Sequence, residues 1–353
     1  MRVVVAMSGG VDSSVAAVLL AEQGHDVVGF SMQLYDQRDS PEAWGSCCSL
    51  GDLQDARRVA NAVGFPHYIV NFEEQFRKAV VDNFVSEYAA GRTPIPCVHC
   101  NSGLKFATLV ERAAALDADI VATGHYARID RDPVTNLYRL RRGVDREKDQ
   151  SYFLFSLTQD QLSRALFPVG ELTKPEVRAI AERRGLTVAK KPDSQEICFI
   201  PDGDTAGFVA RQLAKTPAGP ITDTSGKALG EHTGIHQFTI GQRKGLGLST
   251  GVPLYVVKID PADHRVVVGH KTELGRASLR ASGVNWTAGA PPTGAVRAAA
   301  QIRHRHREAS GTLTPLGADG AEMLFDEPQI AVTPGQAVVF YDGDAVIGGG
   351  WID

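Results

Sequence analysis

The pattern of apolar runs changes near residue 202, and this change most constrains what the chain can fold into. Before it, short apolar runs alternate with stretches of helical period, an order that predicts a parallel sheet with helices on both faces. The predicted strands are Val3–Ala6, Val27–Phe30, Tyr68–Val70 and Ile120–Thr123, and the predicted helices are Ser13–Gln23, Leu53–Val63, Glu73–Ala90, Leu104–Leu116 and Lys174–Arg184.

The remainder of the chain has a different character. Of the 36 glycines, 13 lie in residues 1–200 and 23 in the shorter remainder, where helical periodicity fades. Short alternating runs broken by Gly and Pro predict one or two small β domains, built as barrels. These runs are Pro253–Ile259, Arg265–Val268, Ala295–Ile302 and Ala337–Tyr341. A chain of 353 residues is long enough for two or three domains.

Composition excludes several classes of protein. Hydrophobic residues (43%) and charged residues (22%) are near the globular average, so the chain as a whole is not disordered. Five cysteines, an odd and sparse number, do not fit a secreted disulfide scaffold. The N-terminal apolar run is too short for a signal-peptide core, and no stretch approaches a membrane span. We therefore expect a cytoplasmic protein that has no membrane partner and keeps its thiols reduced.

Charge is distributed unevenly along the chain. The net charge of −4 excludes a uniformly basic nucleic-acid protein. Residues 281–307, however, carry four arginines and no acid, whereas residues 308–353 carry eight acids and no Lys or Arg. The arginine-rich part ends in the run 301–307, which reads QIRHRHR. This run, the basic strip below, suits contact with phosphates, but it also suits a solvated surface strand.

A glycine-containing loop follows the first predicted strand. It reads Ser8-Gly9-Gly10-Val11-Asp12-Ser13-Ser14 and opens a helix. Glycines let a ligand approach the backbone, and the N–H groups at a helix N-terminus form an anion site. The alternative interpretation is a tight turn before a capped helix. The loop has neither the Gly-Lys-Ser/Thr of a Walker loop nor the Gly-x-Gly-x-x-Gly of a dinucleotide site.

The cysteines are the other candidates for chemistry. Cys97 and Cys100 lie just before a predicted helix, Cys198 lies on a short apolar run, and Cys47 and Cys48 are adjacent. A structural zinc ion usually needs a second pair at Cys-x-x-Cys spacing, so we do not expect one. Cys47 and Cys48 are interpreted as thiols without chemistry. Placement at a helix N-terminus would lower the pKa of Cys100. The local sequence of Cys198 is typical of a buried core thiol.

Two resemblances extend this interpretation. Ser-Gly-Gly-x-Asp-Ser resembles the PP-loop of the ATP pyrophosphatases, which split ATP to AMP and pyrophosphate and attach AMP to a substrate oxygen. Over nearly its whole length the chain also resembles the bacterial tRNA-specific 2-thiouridylase family, which places sulfur on the wobble uridine of tRNA. The matching strings are Ala6–Ser13, Cys47–Ser49, Ala122–Ala127, Lys148–Tyr152, Lys191–Ile200, Phe238–Gly245, Phe325–Pro328 and Val332–Gln336.

The resemblance implies a fold and a set of ligands. We expect an α/β PP-loop domain (adenine nucleotide alpha hydrolase-like, Rossmann-like parallel sheet) at 1–201, a small central domain at 202–278 and a C-terminal β-barrel at 279–353. ATP with Mg²⁺ would contact Ala6, Met7, Ser8, Gly9, Gly10, Val11, Asp12, Ser13, Met32 and Gly124. The tRNA would contact Ile95, Pro96, Cys97, His125, Lys148, Asp149, Gln150, Arg303, His304 and Gln336.

The resemblance also implies a reaction. The 2-oxygen of uridine is a poor leaving group, and adenylation lets it depart as AMP. Sulfur would arrive as a persulfide on Cys198, and Cys100 would free it by thiol–disulfide exchange. The resulting Cys100–Cys198 disulfide would be reset by a cytoplasmic reductant. The sulfur donor would be a cysteine desulfurase or a sulfur-relay protein, and the acceptors would be the tRNAs for Lys, Glu and Gln.

One departure from the family leaves alternatives open. Some members carry an acidic residue where this chain has Cys97, and Asn where it has Ile95. Because a thiol is a different acid from a carboxyl group, transfer of an acid/base role is in doubt. Cys97, Cys100 and Cys198 are also enough to hold a [4Fe–4S] cluster with one open iron.

Two other classes of protein remain as alternatives to a tRNA-thiolating enzyme. One is another PP-loop ligase acting on a small molecule, and the other is a non-catalytic RNA-binding module. The intact Ser8–Ser14 loop argues against the module.

Overall fold

The first part of the chain forms a parallel α/β layer. The computed structural model describes residues 1–35, 49–193 and 197–353. The elements of this part are β1 (Arg2–Ala6), α1 (Val11–Glu22), β2 (Asp26–Gln33), α2 (Leu50–Val63), β3 (His67–Asn71), α3 (Glu73–Phe76), α4 (Asp82–Ala89), α5 (Pro96–His99), α6 (Ala107–Ala114), β4 (Ile120–Thr123), β5 (Ala127–Arg131), β6 (Tyr138–Arg142), α7 (Gln159–Ser163), β7 (Ala165–Leu166) and α8 (Lys174–Arg183). Two π-helical segments, Arg77–Val81 and Cys100–Phe106, join α3 to α4 and α5 to α6. The strands and helices predicted for this part are confirmed, with ends that differ by a few residues.

The sheet of this layer has the strand order β3-β2-β1-β4-β7, and every pair is parallel. Alternate residues of β1 face opposite sides, since side chains in a strand have a period of two. Val4 packs into one hydrophobic cluster, while Val3 and Val5 pack into another. The chain leaves β1 toward β2 on one side and returns to β4 on the other. The carboxyl ends of β1 and β4 therefore border a crevice of the kind where ligands bind in open α/β sheets.

The central part contains one helix and a small sheet. Its elements are α9 (Thr205–Gln212), β8 (Gly219–Asp223), β9 (Ala228–His232), β10 (Tyr255–Asp260) and β11 (Arg265–Gly269), and the strand order is β10-β11-β8-β9. The fading of helical periodicity after residue 202 gave no indication of α9. This helix is too short for its period to stand out in the sequence. It is set by its cap, because Asp204 Oδ1 accepts the N–H of Gly207 at 2.8 Å.

The C-terminal part closes into a barrel. Its strands are β12 (Gly275–Trp286), β13 (Val296–Gln301), β14 (Ala309–Leu316), β15 (Gly320–Ile330), β16 (Ala337–Asp342) and β17 (Ala345–Ile352). They pair in the order β12-β15-β14-β13-β16-β17, and β12 also pairs with β17, which closes the ring. The predicted fold class, a PP-loop sheet followed by a small domain and a β-barrel, is confirmed.

One connection between these parts was not predicted. The antiparallel hairpin β5–β6 belongs to the first part of the chain by sequence, but it extends the barrel sheet through the pair Ala345 and Arg141. Its packing on the barrel brings residues near 142–152 beside the C-terminal strands. In the described ranges, no helix has both the length and the apolar character needed to cross a bilayer.

Candidate active site

The glycine-containing loop lies at the crevice between β1 and β4. Gly9 has φ +73°, and a Cβ there would lie 2.1 Å from the Asp52 carbonyl oxygen. Gly10 caps α1 in an extended conformation. The Ser8 N–H donates to Ser13 Oγ at 3.2 Å, and Ser14 Oγ donates to the Gly10 carbonyl at 2.9 Å. The hydroxyls thus brace a loop whose first helical N–H groups face the crevice, which is the arrangement that binds phosphates.

Gly124 closes the opposite side of the crevice. It follows β4, and a Cβ at this position would lie 2.5 Å from the Ser13 nitrogen. Only glycine lets the end of β4 approach the start of α1 so closely. The next residue, His125, has its Nδ1 2.7 Å from Thr123 Oγ1. Burial, aided by the charge of Lys105, lowers the pKa of His125 to about 3, so its imidazole is neutral at pH 7.

The remaining residues predicted to contact nucleotide divide between the two faces of the sheet. Met32 is buried in one hydrophobic cluster, against which Ala6 packs. Met7 and Val11 are buried in the cluster on the other face. The Met7 carbonyl accepts the hydroxyl of Ser31 at 2.6 Å. The side chains of Met7 and Val11 therefore hold the loop on the sheet, and the Met7 N–H donates to the Phe30 carbonyl at 2.7 Å.

Asp12 anchors an ion-pair network that the sequence analysis did not identify. Its carboxylate accepts the Tyr126 hydroxyl at 2.7 Å and the Lys174 ammonium at 2.8 Å. The Lys174 side chain is only 9% exposed and also pairs with Asp193 at 2.8 Å. One signal was available in the sequence, because a lysine at the first position of a helix opposes the helix dipole and needs a local reason.

Asp193 connects this network to the segment predicted to bind tRNA. Its carboxylate pairs with Lys148 at 2.7 Å and with Arg178 at 3.0 Å, in addition to Lys174. Burial alone would raise the pKa of Asp193, but the hydrogen bonds from Lys148 and Lys174 outweigh it and lower that pKa to about 2. A single carboxylate thus joins the nucleotide loop to Lys148.

Lys191 braces the loop from the other side. Its ammonium donates to the Gly9 carbonyl at 3.0 Å and pairs with Asp52 at 2.5 Å and Asp55 at 2.7 Å. Burial would lower the pKa of Lys191, but the hydrogen bonds with Asp52 and Asp55 raise it overall, so the side chain is a cation at neutral pH. Asp52 also completes a capping box with Ser49 at the start of α2. Two lysines, Lys174 and Lys191, therefore flank the loop.

The predicted working thiols lie near one hydrophobic cluster. Cys100 is a buried member of it, and Cys198 is half-buried and packs against it. Phe199 fixes the Cys198 region by packing edge-on to Phe76 at 5.6 Å and Phe84 at 5.2 Å between ring centroids. Both cysteines thus belong to the same hydrophobic cluster, although they are far apart in sequence. Cys47 and Cys48 lie outside the described residues.

The expected position of Cys100 at a helix N-terminus was wrong. The helix begins at Pro96, with Ile95 as its N-cap, because proline fits the first helical position, where its missing N–H costs no hydrogen bond. Cys97, which is exposed, occupies the first turn, and Cys100 comes one turn later, where the π-helical segment starts. Ile95 is itself buried in the cluster with Cys100.

The three cysteines considered for a cluster differ in exposure. Within residues 1–35, 49–193 and 197–353, no three His, Cys, Asp or Glu side chains are arranged to hold a metal ion. Cys97 is exposed, whereas Cys100 is buried. A [4Fe–4S] cluster, whose cysteine ligands bind different iron atoms, stays a prediction.

The 148–150 segment is held by internal hydrogen bonds. The Asp149 side chain is only 6% exposed and accepts from the Gly143 N–H at 3.0 Å and the Ser151 hydroxyl at 2.8 Å. The Gln150 side-chain oxygen accepts the Tyr126 N–H at 2.9 Å. The Asp149 carboxylate therefore points inward, and the Lys148 ammonium is the more exposed charge of this segment.

The basic strip is a turn rather than a strand. β13 ends at Gln301, and Arg305 has φ +60°. Arg303 donates to the Ile330 carbonyl at 3.1 Å, and the His304 ring lies 4.8 Å from that of Phe153. The strip therefore lies beside the first part of the chain.

A cavity of about 520 Å³ adjoins the strip. Arg303 and Gln336, both predicted to contact tRNA, line it together with Lys271 and Tyr255 of the central part and Thr93 of the first part. Lys271 and Tyr255 carry no sequence motif that marks them. The cavity brings residues from all three parts of the chain to one place.

Comparisons with known proteins agree with this architecture. Family models match in succession: a tRNA methyl transferase HUP domain over residues 1–202, a tRNA methyl transferase PRC-barrel domain over 206–270 and an aminomethyltransferase beta-barrel domain over 276–352.

Relatives match along almost the whole chain. The protein of Acidobacterium capsulatum named tRNA-specific 2-thiouridylase MnmA is 55% identical in sequence to this chain. The match covers 99% of this chain and 98% of that protein. The corresponding protein of Solibacter usitatus is 54% identical, over 99% of each chain. That of Geotalea uraniireducens is 52% identical, over 100% of this chain and 95% of that protein. Among solved structures, a 4-thiouridine synthetase–RNA complex with bound ATP matches 60% of this chain and 50% of its own, with 17% sequence identity and a TM-score of 0.35.

Proposed function

Because this chain belongs to the tRNA-specific 2-thiouridylase family, we propose that it uses ATP to replace the 2-oxygen of the wobble uridine, position 34 of tRNA, with sulfur. The products are 2-thiouridine, AMP and pyrophosphate. The acceptors are the tRNAs for Lys, Glu and Gln, and the reaction takes place in the cytoplasm. The chain divides into a catalytic domain at 1–201, a central tRNA-binding domain at 202–278 and a barrel at 279–353.

The nucleotide half of the proposal is supported by the loop between β1 and α1. Its N–H groups, braced by Ser8 and Ser13, receive the phosphates of ATP. Lys174 holds Asp12, and Lys191 holds the Gly9 carbonyl, so both lysines fix the loop in place. Asp12 would meet the Mg²⁺ that accompanies ATP, and this ion would neutralise the departing pyrophosphate. The uridine 2-oxygen attacks the α-phosphorus, and pyrophosphate leaves.

The sulfur half is supported by one observation above all. A single hydrophobic cluster contacts Ala6 and Met32, predicted to bind nucleotide, and also Cys100 and Cys198. A cysteine desulfurase or relay protein would deliver sulfur to Cys198 as a persulfide. The terminal sulfur attacks C2 of the adenylated uridine, and AMP leaves. The Cys100 thiolate then attacks Cys198 Sγ, releases 2-thiouridine and forms a Cys100–Cys198 disulfide, which a two-electron dithiol reductant reopens.

The proposal that tRNA binds is supported by the cavity between the three parts of the chain. Arg303 and Gln336 line it, and His304 follows Arg303 in the chain and packs against Phe153. Lys148 lies apart from this lining, in an ion pair with Asp193. Neutral His125, at the end of β4, can exchange a hydrogen bond with the base without adding charge. Cys97, the exposed thiol of the first helical turn, lies where some relatives carry an acidic residue.

Nucleoside mass spectrometry tests the proposal. The purified protein, incubated with unmodified tRNA, ATP and a persulfide-charged desulfurase, is expected to form 2-thiouridine at position 34 and one AMP per thiolation. Cys198→Ser and Cys100→Ser should abolish the product with this donor while leaving pyrophosphate release dependent on tRNA. AMP formation that is independent of tRNA would instead favour a small-molecule ligase. Full thiolation by Cys198→Ser would rule out the persulfide role.

A further inference from the structure

His99 and Trp351 stack face to face where the barrel meets the helix that carries the thiols. Their ring centroids are 4.5 Å apart, and the ring planes differ by 4°. His99 lies between Cys97 and Cys100 in the chain and is the last residue of α5. Trp351 lies on β17, and Phe155 packs edge-on against it at 6.0 Å. The barrel therefore contacts the helical turn that carries both cysteines.

A second contact holds the other end of the same segment. The Thr93 N–H donates to the Pro334 carbonyl at 2.9 Å, and the Gln336 side-chain amide donates to the Thr93 carbonyl at 2.9 Å. Gly335, between these two partners, has φ +85°, and a Cβ there would lie 2.9 Å from Arg92 Cβ. We call residues 93–100 the thiol segment. It is attached to the barrel at both of its ends.

The two attachment points are joined within the barrel. The Gly335 N–H donates to the Ile352 carbonyl at 2.9 Å, and the Ile352 N–H donates to the Gln336 carbonyl at 2.9 Å. Trp351 lies directly opposite Ala337 in the pair β16–β17. The loop that holds Thr93 and the ring that stacks on His99 therefore belong to one hydrogen-bonded unit.

We propose that Trp351 is a positioning residue for Cys100, acting through His99. Successive residues of a helix project about 100° apart, so the orientation of His99 sets the directions of Cys97 and Cys100. The orientation of this helical turn needs a contact from outside the helix, because the regular α-helix changes to a π-helical segment at Cys100 itself. The stack keeps Cys100 turned into the hydrophobic cluster and Cys97 turned toward solvent. The consequence for catalysis rests on the proposed function, whereas the positioning itself does not.

Alkylation of the cysteines tests the positioning directly. The whole protein is treated with iodoacetamide under native conditions, and the labelling of each cysteine is followed by peptide mass spectrometry. In Trp351→Ala and His99→Ala, loss of one aromatic stack should raise the rate of Cys100 labelling about fivefold. Trp351→Phe retains a ring and should restore the slow rate. Trp286→Phe is the matched control, since Trp286 packs inside the same barrel against Phe340 and donates to the Ala318 carbonyl.

Two results would overturn the proposal. One is a Cys100 labelling rate in His99→Ala equal to that of the wild-type protein, and this variant decides the matter if Trp351→Ala does not fold. The other is an equal rise in Trp286→Phe, which would indicate general loosening of the barrel.

A kinetic measurement examines the consequence for catalysis. In Trp351→Ala, kcat for 2-thiouridine formation should fall about fivefold or more while KM for tRNA and ATP stays unchanged, and Trp351→Phe should recover kcat. Loss of tRNA affinity with unchanged kcat would contradict the positioning role. If the wild-type protein forms no 2-thiouridine, the proposed function fails, and the labelling experiment still decides whether Trp351 positions Cys100.

Discussion

The ammonium nitrogen of Lys174 lies 2.8 Å from both carboxylate oxygens of Asp12. Lys174 starts α8, and Asp12 lies in the first turn of α1. Because the Lys174 side chain is almost fully buried and also contacts Asp193, its charge is balanced by two carboxylates. A neutral residue here would leave those carboxylates without their shared partner, a costly arrangement in a partly buried site.

Replacement of Lys174 should therefore impair ATP chemistry. We expect Lys174→Met to lower tRNA-dependent pyrophosphate release by about 10²-fold, since the negative charge of Asp12 beside the phosphate loop would no longer be balanced. Lys190→Met is the matched control, because Lys190 is exposed. The measurement is pyrophosphate release at saturating tRNA. Equal rates for the two variants would show that Lys174 has only a structural role.

Gly9→Ala should destabilise the protein more than an alanine at an ordinary turn glycine. Gly9 combines φ +73° with a Cβ position 2.1 Å from the Asp52 carbonyl, whereas Gly24 has φ +80° and no atom within 4 Å of its Cβ position. We expect a loss in the free energy of unfolding of about 3 kcal/mol for Gly9→Ala, and about 1 kcal/mol for Gly24→Ala. Urea unfolding measures both, and similar losses would contradict the close contact between the loop and α2.

The ion pairs of Asp193 should make stability depend on acid pH. The pKa of Asp193 in the folded protein is about 2, below its ordinary value near 3.8. A lowered pKa contributes stability that is complete above the ordinary value and is lost as the pH falls toward 2. The difference in unfolding free energy between wild type and Asp193→Asn should therefore narrow by about 1 kcal/mol between pH 5 and pH 3. Urea unfolding at the two pH values measures it, and a constant difference would contradict the ion-pair assignment.

Arg303 should contribute to tRNA binding in a salt-dependent way. If it contacts a phosphate, Arg303→Ala should weaken tRNA binding and reduce the slope of log affinity against log salt by about 1. Arg297→Ala is the matched control, because Arg297 lies on the same barrel but pairs with Asp326 at 2.6 Å. Filter binding at several salt concentrations gives both slopes. An unchanged slope for Arg303→Ala would remove this residue from the tRNA surface.

Local patterns in the sequence predicted the elements of the α/β layer well, because strand and helix periods are visible within a few residues. β4 was predicted with its observed ends, and the Ser8–Ser14 loop lies where a strand-to-helix turn was expected. The same patterns failed at Cys100 and at α9. At Cys100 the helix begins at Pro96, before the first residue of the apolar repeat that predicted it. At α9 the helix is too short for its apolar repeat to be visible in the sequence.

The sequence by itself determined that a glycine-containing turn joins a buried strand to a helix and that the chain ends in small β domains. The tertiary structure alone decided which side chains complete the site. Lys174 meets Asp12 across 162 positions of sequence, and Gln336 meets Thr93 across 243. No local pattern encodes such pairs, because they depend on the strand order of the sheet and on how the barrel packs against it. Those features arise from the burial of apolar faces throughout the chain, so the network at the loop and the anchoring of the thiol segment exist only in the folded protein.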